Sequence, residues 1–302
     1  MKNTKYIWMV LLAAVLYGTM SSFVKWSYAS GFHAAELAFG QALLSAFLLA
    51  LCTLWSRRRQ KERLKIPGKE FIAWLLTGSA IGVTNYFYYR SVHYIPASVA
   101  IVILMQFTWF SLLLEWLCFG RKSSKTEITT VLVLLAGTVL AGDLTAAAGR
   151  TLSGKGVMLA AMASFTYAVY IVANARTGNR AGWQIKSRFI MVGSALAIFS
   201  ANAPEIVRGS YLGWEYFGRI VFLAVFGTTI PTALFAVGIP KVGAGTASML
   251  MTVELPVAVL CAHALLNEPV TLWQMVGIAL MLGAIIRMNN GTRRQTPSGK
   301  EK

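Results

Sequence analysis

Between Tyr6 and Trp55 only Lys25 and Glu36 carry a formal charge, and between Phe71 and Gly120 only Arg90 and Glu115. Such stretches decide what the chain can fold into. A helix of about 20 mostly apolar residues spans about 30 Å of hydrocarbon, and windows this poor in charge have no stable place in water. The whole chain of 302 residues is 56% hydrophobic and 13% charged, where soluble proteins carry about 25% charge. Ten segments of suitable length can be read, at 6–28, 34–55, 70–91, 96–119, 127–143, 155–175, 186–203, 217–238, 243–265 and 269–287. The first follows Lys2 and Lys5 but is longer than the apolar core of a signal peptide, so it is read as a span. The expectation is an all-α integral membrane protein with ten transmembrane helices.

The balance of 28 Lys and Arg against 11 Asp and Glu gives a net charge of +17. In a soluble domain that excess would point to nucleic acid, but here the basic residues sit in short clusters between apolar segments and form no continuous face. Cytoplasmic loops hold such clusters. With the N-terminus inside, 22 Lys and Arg fall on the inner side and five (Arg90, Arg150, Lys155, Arg208 and Arg219) on the outer side. Both termini are therefore expected in the cytoplasm, in a bacterial plasma (inner) membrane. Cys52, Cys118 and Cys261 each lie inside an apolar segment, and His33, His93 and His263 are scattered. Neither a disulfide framework nor a zinc site is indicated, and no cofactor is implied.

Ala13, Ala14 and Thr19 recur as Ala160, Ala161 and Thr166, an offset of 147, and the stretch from Ser98 lines up with that from Thr246 at an offset of 148. Five spans per half is an odd number, so the halves enter the membrane in opposite senses, as two inverted five-helix repeats. The expected boundaries are 1–145 and 152–288, with 289–302 a disordered cytoplasmic tail. Val253-Glu254-Leu255-Pro256-Val257-Ala258, then Asn267-Glu268-Pro269-Val270-Thr271 and the last span near Gly283-Ala284-Ile285, resemble the drug/metabolite transporter superfamily, in particular its EamA-type members. The first half departs from that pattern, with Arg121 where the turn usually has Glu and Gln106 opposite Glu254; the second half has Asn267 for the usual Gly. The resemblance implies ten helices, a central cavity and movement of small organic metabolites, often outward.

An ionisable group at bilayer depth is a functional candidate by default. Glu254 lies roughly 16 Å into its span, and Gln106 at a similar depth in the fourth. As repeat mates these two would face one another, with Glu254 binding a cationic group or a proton that relieves its buried charge. Tyr17, Thr19, Asn85, Tyr86, Trp109 and Tyr167 add aromatic and small polar groups at mid-depth, the kind that surround a small solute. Lys25, Arg90 and Glu115 lie about 28 Å along their helices and so read as interface anchors. Lys25 turned inward would take a substrate carboxylate, and Glu115 would reach Arg121 or Lys122. Pro231 and Pro256 remove backbone donors inside their spans and are candidate hinges. Gly78 and Gly82 form a GxxxG suited to close helix packing or to a dimer interface.

The reading that follows is a secondary transporter, exporter or exchanger, of small organic metabolites such as amino acids. It is not an enzyme on this reading. Its partners are a small-molecule substrate and the lipid bilayer, with proton coupling through Glu254 and a choice between monomer and homodimer left open. A membrane-embedded transferase would need clustered His, Asp or Cys at one interface, and a non-transporting scaffold subunit is the other alternative. The chain carries no ATP-binding motif.

Overall fold

A computed structural model describes residues 4–59, 68–142, 152–178, 182–208, 213–267 and 270–294. Every regular element among them is helical. In chain order these are α1 (Thr4–Gly18), α2 (Met20–Ala29), α3 (Ala34–Arg59), α4 (Gly68–Tyr94), α5 (Ala97–Leu104), α6 (Phe107–Phe119) and α7 (Lys125–Ala141). They continue as α8 (Gly154–Arg176), α9 (Trp183–Arg208), α10 (Trp214–Phe222), a π-helical segment (Leu223–Thr229), α11 (Ile230–Val242), α12 (Ala244–Met251), α13 (Glu254–Leu266) and α14 (Leu272–Arg294). Where helices abut end to end they join into ten stretches.

Seven stretches are long and apolar enough to cross a membrane: Thr4–Ala29, Ala34–Trp55, Val99–Phe119, Gly154–Arg176, Trp183–Arg208, Trp214–Val242 and Ala244–Leu265. The other three expected spans are also helices. α4 carries Lys69, Glu70 and Arg90, α7 has 17 residues, and α14 is apolar over Leu272–Met288. The helix α14 runs on to Arg294, past Met288 where a disordered tail was expected. Asn289, Asn290 and Gly291 are weak helix formers, but extending an established helix costs far less than starting one. Residues 143–151, the junction between the expected repeats, lie outside the described residues, as do Glu268 and Pro269.

The helices are irregular inside five stretches, α9 at Asn202 among them, and at three of the breaks a side chain bonds a carbonyl of its own turn. At the first break Thr19 Oγ1 donates to the Leu16 carbonyl at 2.7 Å. Gln106 Nε2 donates to the Val102 carbonyl at 3.2 Å at the second, and Thr252 Oγ1 to the Met249 carbonyl at 2.7 Å at the third. In hydrocarbon an unsatisfied carbonyl is costly, so these hydroxyls and the amide are what make the breaks tolerable. The fourth irregularity is the π segment, which ends at Thr229, two residues before Pro231 in the first turn of α11.

Helix α4 lies in the middle of the bundle against α8 and α9. A Cβ added at Gly78 would sit 1.9 Å from the Ile190 carbonyl oxygen, one at Gly82 would sit 2.6 Å from that of Ser194, and one at Gly193 would sit 2.2 Å from that of Leu75. The GxxxG is therefore used within the chain, against α9, and its face is not open for a second copy.

Two buried cations tie the helix ends. Lys186 is fully buried and its Nζ donates to the Asn174 and Thr177 carbonyls at 3.0 and 3.1 Å, closing the last turn of α8. The opposite end holds Arg219, which the sequence counts on the outer side and which is only 4% exposed. Its guanidinium lies 3.8 Å from the Trp26 ring centroid and donates to Ser27 Oγ at 3.2 Å and Ser30 Oγ at 2.7 Å, and it pairs with Glu215 at 2.7 Å. A planar cation stacked on indole and forked onto hydroxyls is the geometry that lets Arg leave water.

Candidate functional site

The break after Val253 makes Glu254 the first residue of α13. Its carboxylate thus sits at the positive end of a helix dipole, inside the bundle and 3% exposed. Tyr167 Oη donates to Glu254 Oε1 at 2.7 Å. Tyr167 is itself held between rings, with Tyr17 and Tyr170 each stacked at 6.1 Å and Phe107 edge-on at 4.7 Å. Tyr17 Oη reaches Asn85 Oδ1 at 3.5 Å, and Thr84 and Thr166 share a hydroxyl hydrogen bond at 2.7 Å.

Glu254, Tyr167, Tyr17, Asn85 and Thr84 line a cavity of about 30 Å³ that also touches Gly18, Ser21 and Tyr88. That is room for a water or two and no more. Gly18 has a specific reason to be glycine: a Cβ there would stand 2.6 Å from the Glu254 carbonyl oxygen. The end of α1 and the start of α13 therefore meet backbone to backbone beside the carboxylate.

Of the residues expected at the site, Glu254, Tyr17, Asn85 and Tyr167 are brought together here. The others lie elsewhere. Gln106 bends back onto its own helix, accepting from Trp109 Nε1 at 2.9 Å as well as bonding Val102. Trp109 is 37% exposed and lines an apolar groove with Leu112 and Leu132 on the outside of the bundle. Thr19 bonds its own turn. Tyr86 accepts from Arg90 Nη1 at 2.9 Å near the end of α4, and Lys25 is exposed near the end of α2. Pro256 falls in the first turn of α13, two residues after Glu254, and Pro231 follows the π segment, so both proposed hinges adjoin helix irregularities. Tyr88, one of the mid-depth aromatics of the third span, also lines the cavity, together with Thr84 and Ser21, which nothing in the sequence singles out.

At the end of the bundle where the chain begins, Glu115 is buried and receives both Arg121 and Arg176, the latter at 3.3 Å, while Arg121 also pairs with Glu127 at 2.6 Å. The expected Glu115–Arg121 contact is present, as part of a cluster joining α6, α7 and α8 in which Glu115 is buried and the arginine side chains are 40% and 42% exposed. Among the described residues no three His, Cys, Asp or Glu side chains come together as a metal site, and the three cysteines are unbridged.

The model of the EamA-like transporter family matches residues 4–142 and again 154–290. The threonine/homoserine exporter RhtA of Salmonella typhimurium strain LT2 is 27% identical over 272 residues, covering 88% of this chain and 84% of that protein. RhtA of Escherichia coli K12 is 27% identical over 269 residues, covering 87% and 81%. The uncharacterized transporter YvbV of Bacillus subtilis strain 168 is 22% identical over 262 residues, covering 84% and 82%. A solved crystal structure 15% identical in sequence superposes with a TM-score of 0.77, covering 97% of this chain and 99% of that one, and shares its fold.

Proposed function

The chain belongs to the EamA-like transporter family, and from that premise we propose that it exports or exchanges a small α-amino acid by alternating access around the Glu254 cavity. It is a multi-pass membrane protein of a family that moves small metabolites across the bilayer. The observation that carries the finer reading is Glu254 itself. A carboxylate at the start of a broken helix, held by the Tyr167 hydroxyl in a small cavity, is positioned to take a substrate ammonium or a proton. Discontinuous helices whose ends meet a solute near the midplane are a recurrent device of secondary transporters. The amino acid class is suggested by the exporters of threonine and homoserine to which the chain is similar.

The reading includes ten spans arranged as two inverted repeats, 1–145 and 152–288, with both termini in the cytoplasm. Three correspondences support it. The family model matches once in each half. The breaks at Met105-Gln106 and Thr252-Val253 are 147 residues apart, within one residue of the 148 offset read for that stretch. The residues tied by the two buried cations, Ser27 and Ser30 to Arg219 and Asn174 and Thr177 to Lys186, are separated by the same 147. In this orientation the Glu115 cluster lies at the cytoplasmic end, the side from which an exporter loads.

The test is counterflow in proteoliposomes with labelled L-threonine and L-homoserine, beside an amine and a nucleoside. Saturable exchange of the amino acids alone is expected. Saturable exchange of the amine or nucleoside alone would replace the substrate class, and no saturable flux of any of the four would contradict the amino acid reading.

A further inference from the structure

At the end of the bundle opposite the Glu115 cluster lies a second and larger cavity, about 250 Å³, apart from the residues around Glu254. Tyr28, His33, Arg90, His93, Tyr94 and Glu205 line it. It is just below the ~300–1,000 Å³ of sites for drug-sized ligands, which suits a solute of a few heavy atoms. A layer of tyrosines separates it from the Glu254 cavity: Tyr28 Oη donates to the Tyr89 carbonyl at 2.9 Å, while Tyr88 and Tyr89 face the inner cavity.

Its polar walls are opposed charges. Arg90 Nη1 stands 3.6 Å from Glu205 Oε2, with side chains 32% and 41% exposed. The guanidinium is oriented from behind, since Nη1 also donates to Tyr86 Oη at 2.9 Å and the group lies 5.7 Å from that ring's centroid. Glu205 is presented by a local break. Helix α9 has non-helical backbone at Asn202 (φ −138°, ψ 21°) followed by Pro204, and its redirected last turn carries the carboxylate over the end of α4. Lys155, 4.8 Å from the Tyr94 ring centroid, is a further cation nearby. A long, half-exposed pair of this kind contributes little to holding two helices together and parts readily. What it does offer is a cation and an anion side by side in a cavity.

We propose that this outer cavity is a second binding site, for the zwitterion of a small α-amino acid, whose carboxylate takes the Arg90 guanidinium while its ammonium takes Glu205. The inference rests on the amino acid reading above. A zwitterion bears its two charges on one carbon, so it replaces the Arg90–Glu205 pair charge for charge. Arg is suited to the carboxylate by its planar fork. The site would receive the solute after it leaves the Glu254 cavity and before it reaches bulk water.

The test uses the full chain in proteoliposomes of known orientation, with labelled L-threonine and unlabelled probes added from one face at a time. In Arg90→Gln and in Glu205→Gln the half-saturating concentration of external L-threonine is expected to rise at least tenfold, and at least five times more than that measured from the inner face. Two fragments of the same probe separate recognition from packing. External 3-hydroxybutyrate, which lacks the ammonium, should lose its inhibition in Arg90→Gln only. External 1-aminopropan-2-ol, which lacks the carboxylate, should lose its inhibition in Glu205→Gln only. External half-saturation within twofold of wild type in both variants overturns the proposal, as does equal loss of both fragments in both variants. Absent threonine flux in wild type would count against the amino acid reading. Equilibrium dialysis of the three probes against purified protein then decides this site separately: variant-specific loss of binding supports it, and no binding or unchanged binding overturns it.

Discussion

Replacing Glu254 with Gln is expected to reduce amino acid counterflow by about 10- to 100-fold, the equivalent of losing one charge-assisted hydrogen bond to the substrate. The substitution is chosen because it preserves shape. The amide oxygen introduced by Glu254→Gln still accepts from Tyr167 Oη, so the 2.7 Å contact and the helix start survive. What is lost is the negative charge and the ability to exchange a proton. If export is coupled to protons through this carboxylate, an acid outer medium accelerates efflux from wild type and leaves Glu254→Gln indifferent to the gradient. A pH response retained in the variant would remove Glu254 from the coupling. Tyr167→Phe should fall between the two, at about tenfold, whereas Gln106→Ala should stay within about twofold because its side chain serves its own helix. Equal losses at Glu254 and Gln106 would contradict the placement of the site.

The second large effect is on stability. Gly78→Ala puts a methyl group 1.9 Å from the Ile190 carbonyl oxygen, 2.7 Å from its carbon and 2.8 Å from its Cα. All three are backbone atoms, so no rotamer change relieves the overlap and α4 must move away from α9. A loss of about 3 kcal/mol, at the upper end of overpacking effects, is expected in reversible unfolding in detergent. Gly283→Ala is the control, because a Cβ there meets nothing within 4 Å and alanine is the better helix former. A Gly78→Ala protein as stable as wild type would mean that α4 and α9 do not approach as closely as the structure has them.

These two effects also mark what the sequence could and could not reveal. Apolar length was enough to find the helical stretches among the described residues, seven of them long and apolar enough to cross a membrane, because in hydrocarbon the backbone has few alternatives to the helix. It could not find the breaks. Thr19, Met105 and Gln106 are not helix breakers, and the chain stops its ladder there because neighbouring helices and local hydroxyls permit it; only Pro256 and Pro231 offered a local sign. Depth along a helix identified Glu254, Tyr17, Asn85 and Tyr167, whose polarity is out of place at mid-membrane. Depth says nothing of azimuth, however, and Gln106, Trp109 and Thr19 do not line the cavity beside Glu254. Lys186 and Arg219 illustrate the converse. Counted as loop charges near span ends, they are buried bolts, because carbonyls and hydroxyls on the adjoining helix ends match their donors.

The central claim is that one cavity, the one beside Glu254, is reached from each side of the membrane in turn. Its most direct test is thiol accessibility at Ser21, which lines that cavity. Ser21→Cys is introduced after Cys52, Cys118 and Cys261 are replaced by serine, and a membrane-impermeant thiol reagent is applied to right-side-out and inside-out vesicles in separate experiments. Labelling from both faces, slowed from both by transported amino acid, is the predicted result. Labelling confined to one face, or labelling that the amino acid leaves unchanged, would contradict alternating access around Glu254.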